Sequence, residues 1–184
     1  TAVACATLPV IWGLFSGEKL STQQIVGVFV GLFAIFLVSW TPGGQAGIKG
    51  MLVLEALIAG LAFGAFFIVI DGTSETTAPW PVVGSRVFSV IAIFLFVMIG
   101  RKNIKPEEKS TPYIIGAGFF DTLANVVLLA ALNRGMLSLV SVLASFYPAV
   151  TVLLARLFLK EMMLKSQIVG LALGLTSIAL LAVS

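Results

Sequence analysis

The sequence has 184 residues, of which 59% are hydrophobic and 10% are charged, with a formal net charge of +3. A water-soluble domain usually carries about a quarter charged residues because its surface faces water, so a soluble globular domain is excluded. The sequence has no histidine and a single cysteine, Cys5, which excludes a Ser-His-Asp triad, the usual zinc sites and an intrachain disulfide. We therefore predict a protein that is not an enzyme and has no metal, no cofactor and no nucleic-acid partner.

Six or seven apolar segments that qualify as membrane spans follow one another along the chain. A helix needs about 20 apolar residues to cross roughly 30 Å of hydrocarbon, and its backbone polar groups must be satisfied within the segment. The sequence therefore predicts an all-α, polytopic transmembrane helical bundle in the cell membrane. The predicted spans are at about 1–15, 23–40, 50–70, 82–99, 113–132, 137–157 and 166–184.

The ends of the chain suggest how much of the protein it covers, and its charged loops suggest its orientation in the membrane. The chain starts at Thr1 inside an apolar run and ends in another at Ser184, so we expect a fragment of a longer protein. Most Lys and Arg residues lie in the loops 41–49, 100–112 and 158–165, which share one side of the predicted topology. Counting positive charges places these loops in the cytoplasm and Ser184 outside.

The sequence repeats itself at one constant offset, which relates its first helices to its last. Glu18 corresponds to Glu161, and the tetrapeptide at 24–27 is identical to that at 167–170. Each copy consists of an apolar helix, a short polar turn with Glu, and a helix with glycines four residues apart. Five membrane crossings separate the copies, so the second is inverted relative to the first. Inverted repeats are the architecture of many secondary transporters, whose substrate site lies near the membrane midplane.

The C-terminal part of the sequence resembles a known family. The segments Ser145–Thr151, Leu154–Glu161 and Gln167–Gly170, together with Gly118–Asp121, resemble the EamA-like family of the drug/metabolite transporter superfamily. Residues 1–45 resemble the last two helices of a first EamA-like repeat, and residues 46–184 resemble a second repeat with five transmembrane helices. The resemblance implies a permease of ten helices, built of two inverted five-helix halves around a central cavity. It also implies a cytoplasmic C-terminus, which the charge count contradicts, so orientation stays open.

Charged side chains within the predicted spans are candidates for function because they are costly in a membrane. Glu55 is a candidate for binding a cation or a proton, with solvation or pairing near the interface as the alternative. Arg86 is a candidate for binding an anionic substrate through its planar guanidinium, or else for extending to the interface. In the predicted topology the helices of these two residues start from opposite sides of the membrane.

Further polar candidates lie in the last three spans. Asp121 and Asn125 are four residues apart and share a helix face, which suggests a role with substrate or proton, or helix–helix hydrogen bonding through Asn125. Ser141 and Ser145 form a small polar stripe with Ser138 and Pro148, and Tyr147 neighbours this stripe. Such a stripe lines a substrate pathway or packs against another helix. The candidate substrate-binding residues are Glu55, Arg86, Asp121, Asn125, Ser141, Ser145 and Tyr147.

These features predict a secondary transporter that moves a small metabolite or a drug-like compound by alternating access. Its partners are the small-molecule substrate and the lipid bilayer, while proton coupling and a homodimer are left open. The alternatives are a membrane assembly module without transport activity and an intramembrane enzyme, which the lack of histidine disfavours. A channel would be expected to show a pore motif or rings of charge.

Overall fold

The computed structural model describes residues 1–40, 50–73, 75–100 and 110–182. Within these ranges the chain forms α-helices and one short 3-10 helix, and it has no β-strand, so the all-α prediction is confirmed. The predicted break at 41–44, the predicted boundary between residues 45 and 46, and most of the loop 100–112 lie outside the described residues. The helices are α1 (Ala2–Phe15), α2 (Thr22–Ser39), α3 (Gly50–Asp71), α4 (Trp80–Gly100), α5 (Thr111–Leu132), α6 (Leu137–Ala144), α7 (Tyr147–Phe158) and α8 (Lys165–Ala182), and the 3-10 helix is Glu75–Thr77.

Six helical segments of the described chain are long and apolar enough to cross a membrane. They are α2, α3, α4, α5, α8 and the combined segment of α6 and α7, whereas α1 is shorter. Many large apolar side chains on α4 and α5 are exposed, including Phe88, Ile99 and Phe120. Such faces suit a lipid solvent rather than water. The prediction of a multi-pass membrane protein is confirmed.

The chain forms two compact units, one of residues 1–69 and 135–184, the other of residues 70–134. The first unit contains the hydrophobic core, in which α2 packs on α8 and α1 packs on α6. The second unit is built on the contact of α4 with α5. The core residues of the first unit are Ala2, Ala6, Val10, Val28, Ala34, Ile35, Val38, Val142, Phe146, Ala149 and Leu181.

The contact between α2 and α8 depends on small residues. A Cβ atom on Gly27, near the start of α2, would lie 2.8 Å from the Leu181 side chain near the end of α8. Conversely, a Cβ atom on Gly170, near the start of α8, would lie 2.7 Å from the Val38 side chain near the end of α2. The start of each helix therefore meets the end of the other, so the helices are antiparallel. Glycines at such positions allow helix backbones to approach closely in a membrane.

The offset that relates Glu18 to Glu161 in the sequence recurs in the structure. The first and last residues of α2 and α8 are related by the same offset. The backbone N–H of Ser21 donates to Oε1 of Gln24 at 2.8 Å, and the backbone N–H of Leu164 donates to Oε1 of Gln167 at 2.9 Å. These corresponding bonds satisfy a backbone donor at the start of each helix. The sequence repeat thus produces the same glutamine bond at the start of two antiparallel helices, while the side-chain cap of Ser21 occurs only on α2.

A buried hydrogen bond between α8 and α2 leads to a first prediction. The Ser177 hydroxyl is fully buried and donates to the backbone carbonyl of Gly27 at 2.7 Å. Ser177→Ala is expected to lower the free energy of unfolding by about 1 kcal/mol, because the carbonyl loses its second donor in an apolar contact. Thermal unfolding of the detergent-solubilised protein measures this change.

Thr176 offers a matched control for this prediction, because its hydroxyl is exposed and donates to the Ala172 carbonyl of the same helix. Thr176→Val removes this hydroxyl with little change of shape, and its effect is expected to stay below about 0.5 kcal/mol. Equal stability losses in the two variants would contradict a specific contribution of the Ser177 bond between the helices.

Candidate functional site

An ion pair joins α4 and α5 within the second unit. Nη2 of Arg86 lies 2.6 Å from Oδ2 of Asp121, and the same nitrogen donates to the backbone carbonyl of Asp121 at 3.2 Å. Arg86 is about one third exposed and Asp121 more than half exposed. Arg86 therefore contacts both the side chain and the backbone of one residue, which fixes the position of its guanidinium on α5.

Asn125 lies one helical turn after Asp121 and contributes to the same cluster. Its Nδ2 donates to the backbone carbonyl of Asp121 at 2.8 Å. The prediction that Asp121 and Asn125 share a helix face is therefore confirmed. The Asn125 amide bonds within its own helix in this structure. We name the three residues Arg86, Asp121 and Asn125 the charged cluster.

The sequence analysis named all members of the charged cluster but did not pair Arg86 with Asp121. Arg86 lies in the first half of α4, well before its end, and Asp121 lies near the middle of α5. At about 1.5 Å per residue, these two positions lie at comparable depths, roughly 15–21 Å along adjacent helices from their connection. Comparing these depths is the signal that would have suggested the pair.

The charged cluster has binding capacity beyond the pair itself. The Nε atom of Arg86 is buried and has no hydrogen-bond partner among the described residues. An ion pair is less costly within a membrane protein than either charge alone. A small charged molecule could replace one partner on the other, an anion at Arg86 or a cation at Asp121. The arrangement therefore suits reversible binding of a charged group.

The predicted span at 137–157 is broken into two helices. α6 ends at Ala144, Ser145 and Phe146 are not helical, and α7 begins at Tyr147. Pro148 has no backbone N–H, so it cannot bond the carbonyl of Ala144 as an unbroken helix requires. Within a membrane span, non-helical backbone is tolerated where protein buries it or where it lines a cavity. Ser145 and Phe146 are both buried, so protein covers the break in this conformation.

The serine stripe of α6 is buried. Ser138, Ser141 and Ser145 are each at most 1% exposed. The Ser138 hydroxyl donates to the Val10 carbonyl of α1 at 3.4 Å, and the Ser141 hydroxyl donates to the Ser138 carbonyl at 3.0 Å. The Ser145 hydroxyl, at the helix break, is buried beside the thiol of Cys5 on α1. The stripe therefore packs against α1 at both ends.

The two remaining candidates are exposed and belong to the first unit. Glu55 lies in the second turn of α3, and Tyr147 is the first residue of α7. The side chain of Tyr147 is half exposed, while its backbone carbonyl accepts a hydrogen bond from Thr151 at 3.0 Å. Arg86 and Asn125 thus each bond Asp121, whereas Glu55 and Tyr147 belong to the other unit. In the described ranges, no three His, Cys, Asp or Glu side chains are placed to hold a metal ion.

Comparisons with known proteins found one family and one similar protein. The profile of the EamA-like transporter family matches residues 49–183. An uncharacterized protein of Methanocaldococcus jannaschii is 31% identical to the chain over 121 residues, which cover 66% of this chain and 87% of that protein. No solved structure matches the chain.

Proposed function

The chain belongs to the EamA-like transporter family, and from this premise we propose that it is a secondary transporter of the cell membrane. It moves a small metabolite or a drug-like compound by alternating access. The observation that carries this proposal is the antiparallel packing of α2 and α8, two repeat-related helices with the same glutamine hydrogen bond at their starts. Transporters built of inverted repeats alternate between states in which their site opens to one side or the other.

The repeat defines the two halves of the proposed transporter. Residues 1–45 supply the last two helices of one half, and residues 46–184 supply five helices of the other. In this proposal α1 corresponds to the span of α6 and α7, and α2 corresponds to α8. The two halves are then joined by the contact of α2 with α8 and by the contact of α1 with α6. Movement at these contacts opens the path of the substrate.

Two features, one in each unit, are separate candidates for contact with substrate in this proposal. The charged cluster binds a charged group of the substrate, because Arg86 and Asp121 each offer a charge that is now held by the other. The break between α6 and α7 offers the buried hydroxyl of Ser145, which lies beside the Cys5 thiol, and the backbone freed by Pro148. Discontinuous helices are common at the substrate and ion sites of secondary transporters. Ser141 and Tyr147 flank this break, and Glu55 is a second carboxylate for coupling to a cation or proton.

Transport by the full-length protein tests the proposal. Uptake and efflux of a panel of amines, carboxylates, zwitterions and uncharged metabolites are measured in proteoliposomes, with and without a proton gradient. We expect one class of compound to move faster than in protein-free liposomes. If transport is coupled to protons through Glu55, the Glu55→Gln variant loses its response to the gradient while facilitated movement continues.

Two results bear against the proposal or part of it. Folded protein that moves no compound of the panel in either direction would favour a membrane assembly module without transport activity. Transport by Glu55→Gln with an unchanged response to the gradient would remove Glu55 from the coupling mechanism. A monodisperse profile in size-exclusion chromatography shows that each variant is folded.

A further inference from the structure

Glu18 joins the turn after α1 to the start of α6. Its Oε2 accepts a hydrogen bond from the backbone N–H of Ser138 at 3.1 Å, across 120 residues of sequence. Ser138 is the second residue of α6, where the backbone N–H has no partner within its own helix. The positive end of the helix dipole also favours a carboxylate at this position. The side chain of Glu18 therefore holds the start of one helix beside the end of another.

The surroundings of this contact leave little free space. A Cβ atom on Gly13 would collide with the Glu18 carboxylate and with the Ser138 hydroxyl. The Ser138 hydroxyl donates in turn to the Val10 carbonyl. Gly13 and Ser138 are both buried, whereas Glu18 is partly buried. The end of α1 and the start of α6 are thus held together by the side chain of Glu18, which lies in the turn between α1 and α2.

The turn that carries Glu18 occurs twice in the chain. Gly17 has a φ of +94°, and Lys160, at the corresponding position of the second repeat, has a φ of +55°, so both precede their Glu in the left-handed region. The second Glu is Glu161, whose side chain is exposed. The two corresponding carboxylates are therefore in different environments, one at a helix start and the other at the surface.

We propose that Glu18 is a gating residue of the transport path. Its bond to the start of α6 keeps the substrate path closed at this end of the α1–α6 contact. The bond must break before the path opens there. This inference rests on the proposed transport function and adds to it a residue outside the candidate substrate site. The physical basis is the position of the bond. It crosses from the first repeat to the second at one end of the α1–α6 contact, and α1 and α6 must separate there if the halves move.

Accessibility of α6 tests this inference without a known substrate. Cys5, the single cysteine of this sequence, is replaced with Ser, and Ser141→Cys is introduced as a reporter because Ser141 is fully buried on the closed contact. A membrane-impermeant maleimide is applied to whole cells and, separately, to inside-out vesicles. We expect Glu18→Gln to raise the labelling rate about tenfold from one side only, which corresponds to about 1.4 kcal/mol in favour of the open state. Glu18→Ala, which keeps no acceptor, is expected to raise it further.

Glu161→Gln is the matched control because the same type of residue occupies the corresponding turn, and its labelling rate is expected to equal that of the parent. An increase from both sides alike would show a loosened fold rather than a gate and would overturn the proposal. Labelling that is unchanged in Glu18→Gln and Glu18→Ala would also overturn it. One-sided labelling in protein that transports nothing would support the gate while contradicting the transport function, so the two can fail separately.

Discussion

Replacing Gly170 with alanine is expected to lower the free energy of unfolding by about 1–3 kcal/mol, the usual cost of overpacking a close contact. The added Cβ atom would lie 2.7 Å from the side chain of Val38, 2.9 Å from its backbone nitrogen and 3.0 Å from the Ala34 carbonyl oxygen. Two of these three atoms belong to the backbone of α2 and cannot move aside by a change of rotamer. α2 must therefore shift away from α8, which loosens the largest helix contact of the described chain.

Gly84→Ala provides the control for this effect. Gly84 lies within α4, and a Cβ atom added there would meet nothing within 4 Å. Because alanine restricts the unfolded chain and favours a helix, this variant is expected to be neutral or more stable by up to about 1 kcal/mol. Thermal unfolding in one detergent compares the two variants. Equal stability of Gly170→Ala and the parent protein would contradict a close contact of α2 with α8.

The second large effect is expected at the charged cluster. Asp121→Asn and Arg86→Gln are each expected to lower the transport rate at least about tenfold, because each leaves the other charge unpaired in a membrane span. Each single variant should also be less stable than the parent protein. The rate is measured in proteoliposomes with the compound class that the panel identifies, and stability is measured by thermal unfolding.

The double variant Arg86→Gln with Asp121→Asn separates structure from binding. Because it leaves no unpaired charge, we expect it to regain most of the stability that the single variants lose, yet to remain inactive. Thr122→Val is the control, since the exposed Thr122 hydroxyl donates only to the Gly118 carbonyl of its own helix in this structure. A double variant that transports at the parental rate would show that the ion pair stabilises the fold and takes no part in binding.

Sequence periodicity predicted the local parts of the candidate site. Asp121 and Asn125 share a face because both lie on one helix, where positions four residues apart are neighbours. The serine stripe of α6 follows the same rule, and its members are all buried. The ion pair of Arg86 with Asp121 was not predicted, because it depends on how two separate helices are aligned. Whether these residues bind substrate stays a prediction.

The break between α6 and α7 was predicted only in part. Pro148 indicated that a backbone carbonyl would lose its donor, but the predicted span at 137–157 was a single helix. A proline in a helix permits either a kink or a full interruption. At the break, Phe146 packs against Gly174 of α8. The environment of Ser145 also depends on a different helix, because its hydroxyl lies beside the Cys5 thiol of α1.

The sequence by itself determined that the protein lies in a lipid bilayer, that it is all-helical and that it contains a repeat. Composition and the lengths of apolar runs report these properties directly, because backbone hydrogen bonds in lipid must close within each helix. Tertiary structure alone decided which polar groups meet, as for Arg86 with Asp121 and for Glu18 with the start of α6. The physical reason is that pairing between helices depends on their relative depth and rotation. The sequence suggests comparable depths for Arg86 and Asp121, but the rotation of each helix depends on close contacts between side chains and glycines, which no local pattern encodes.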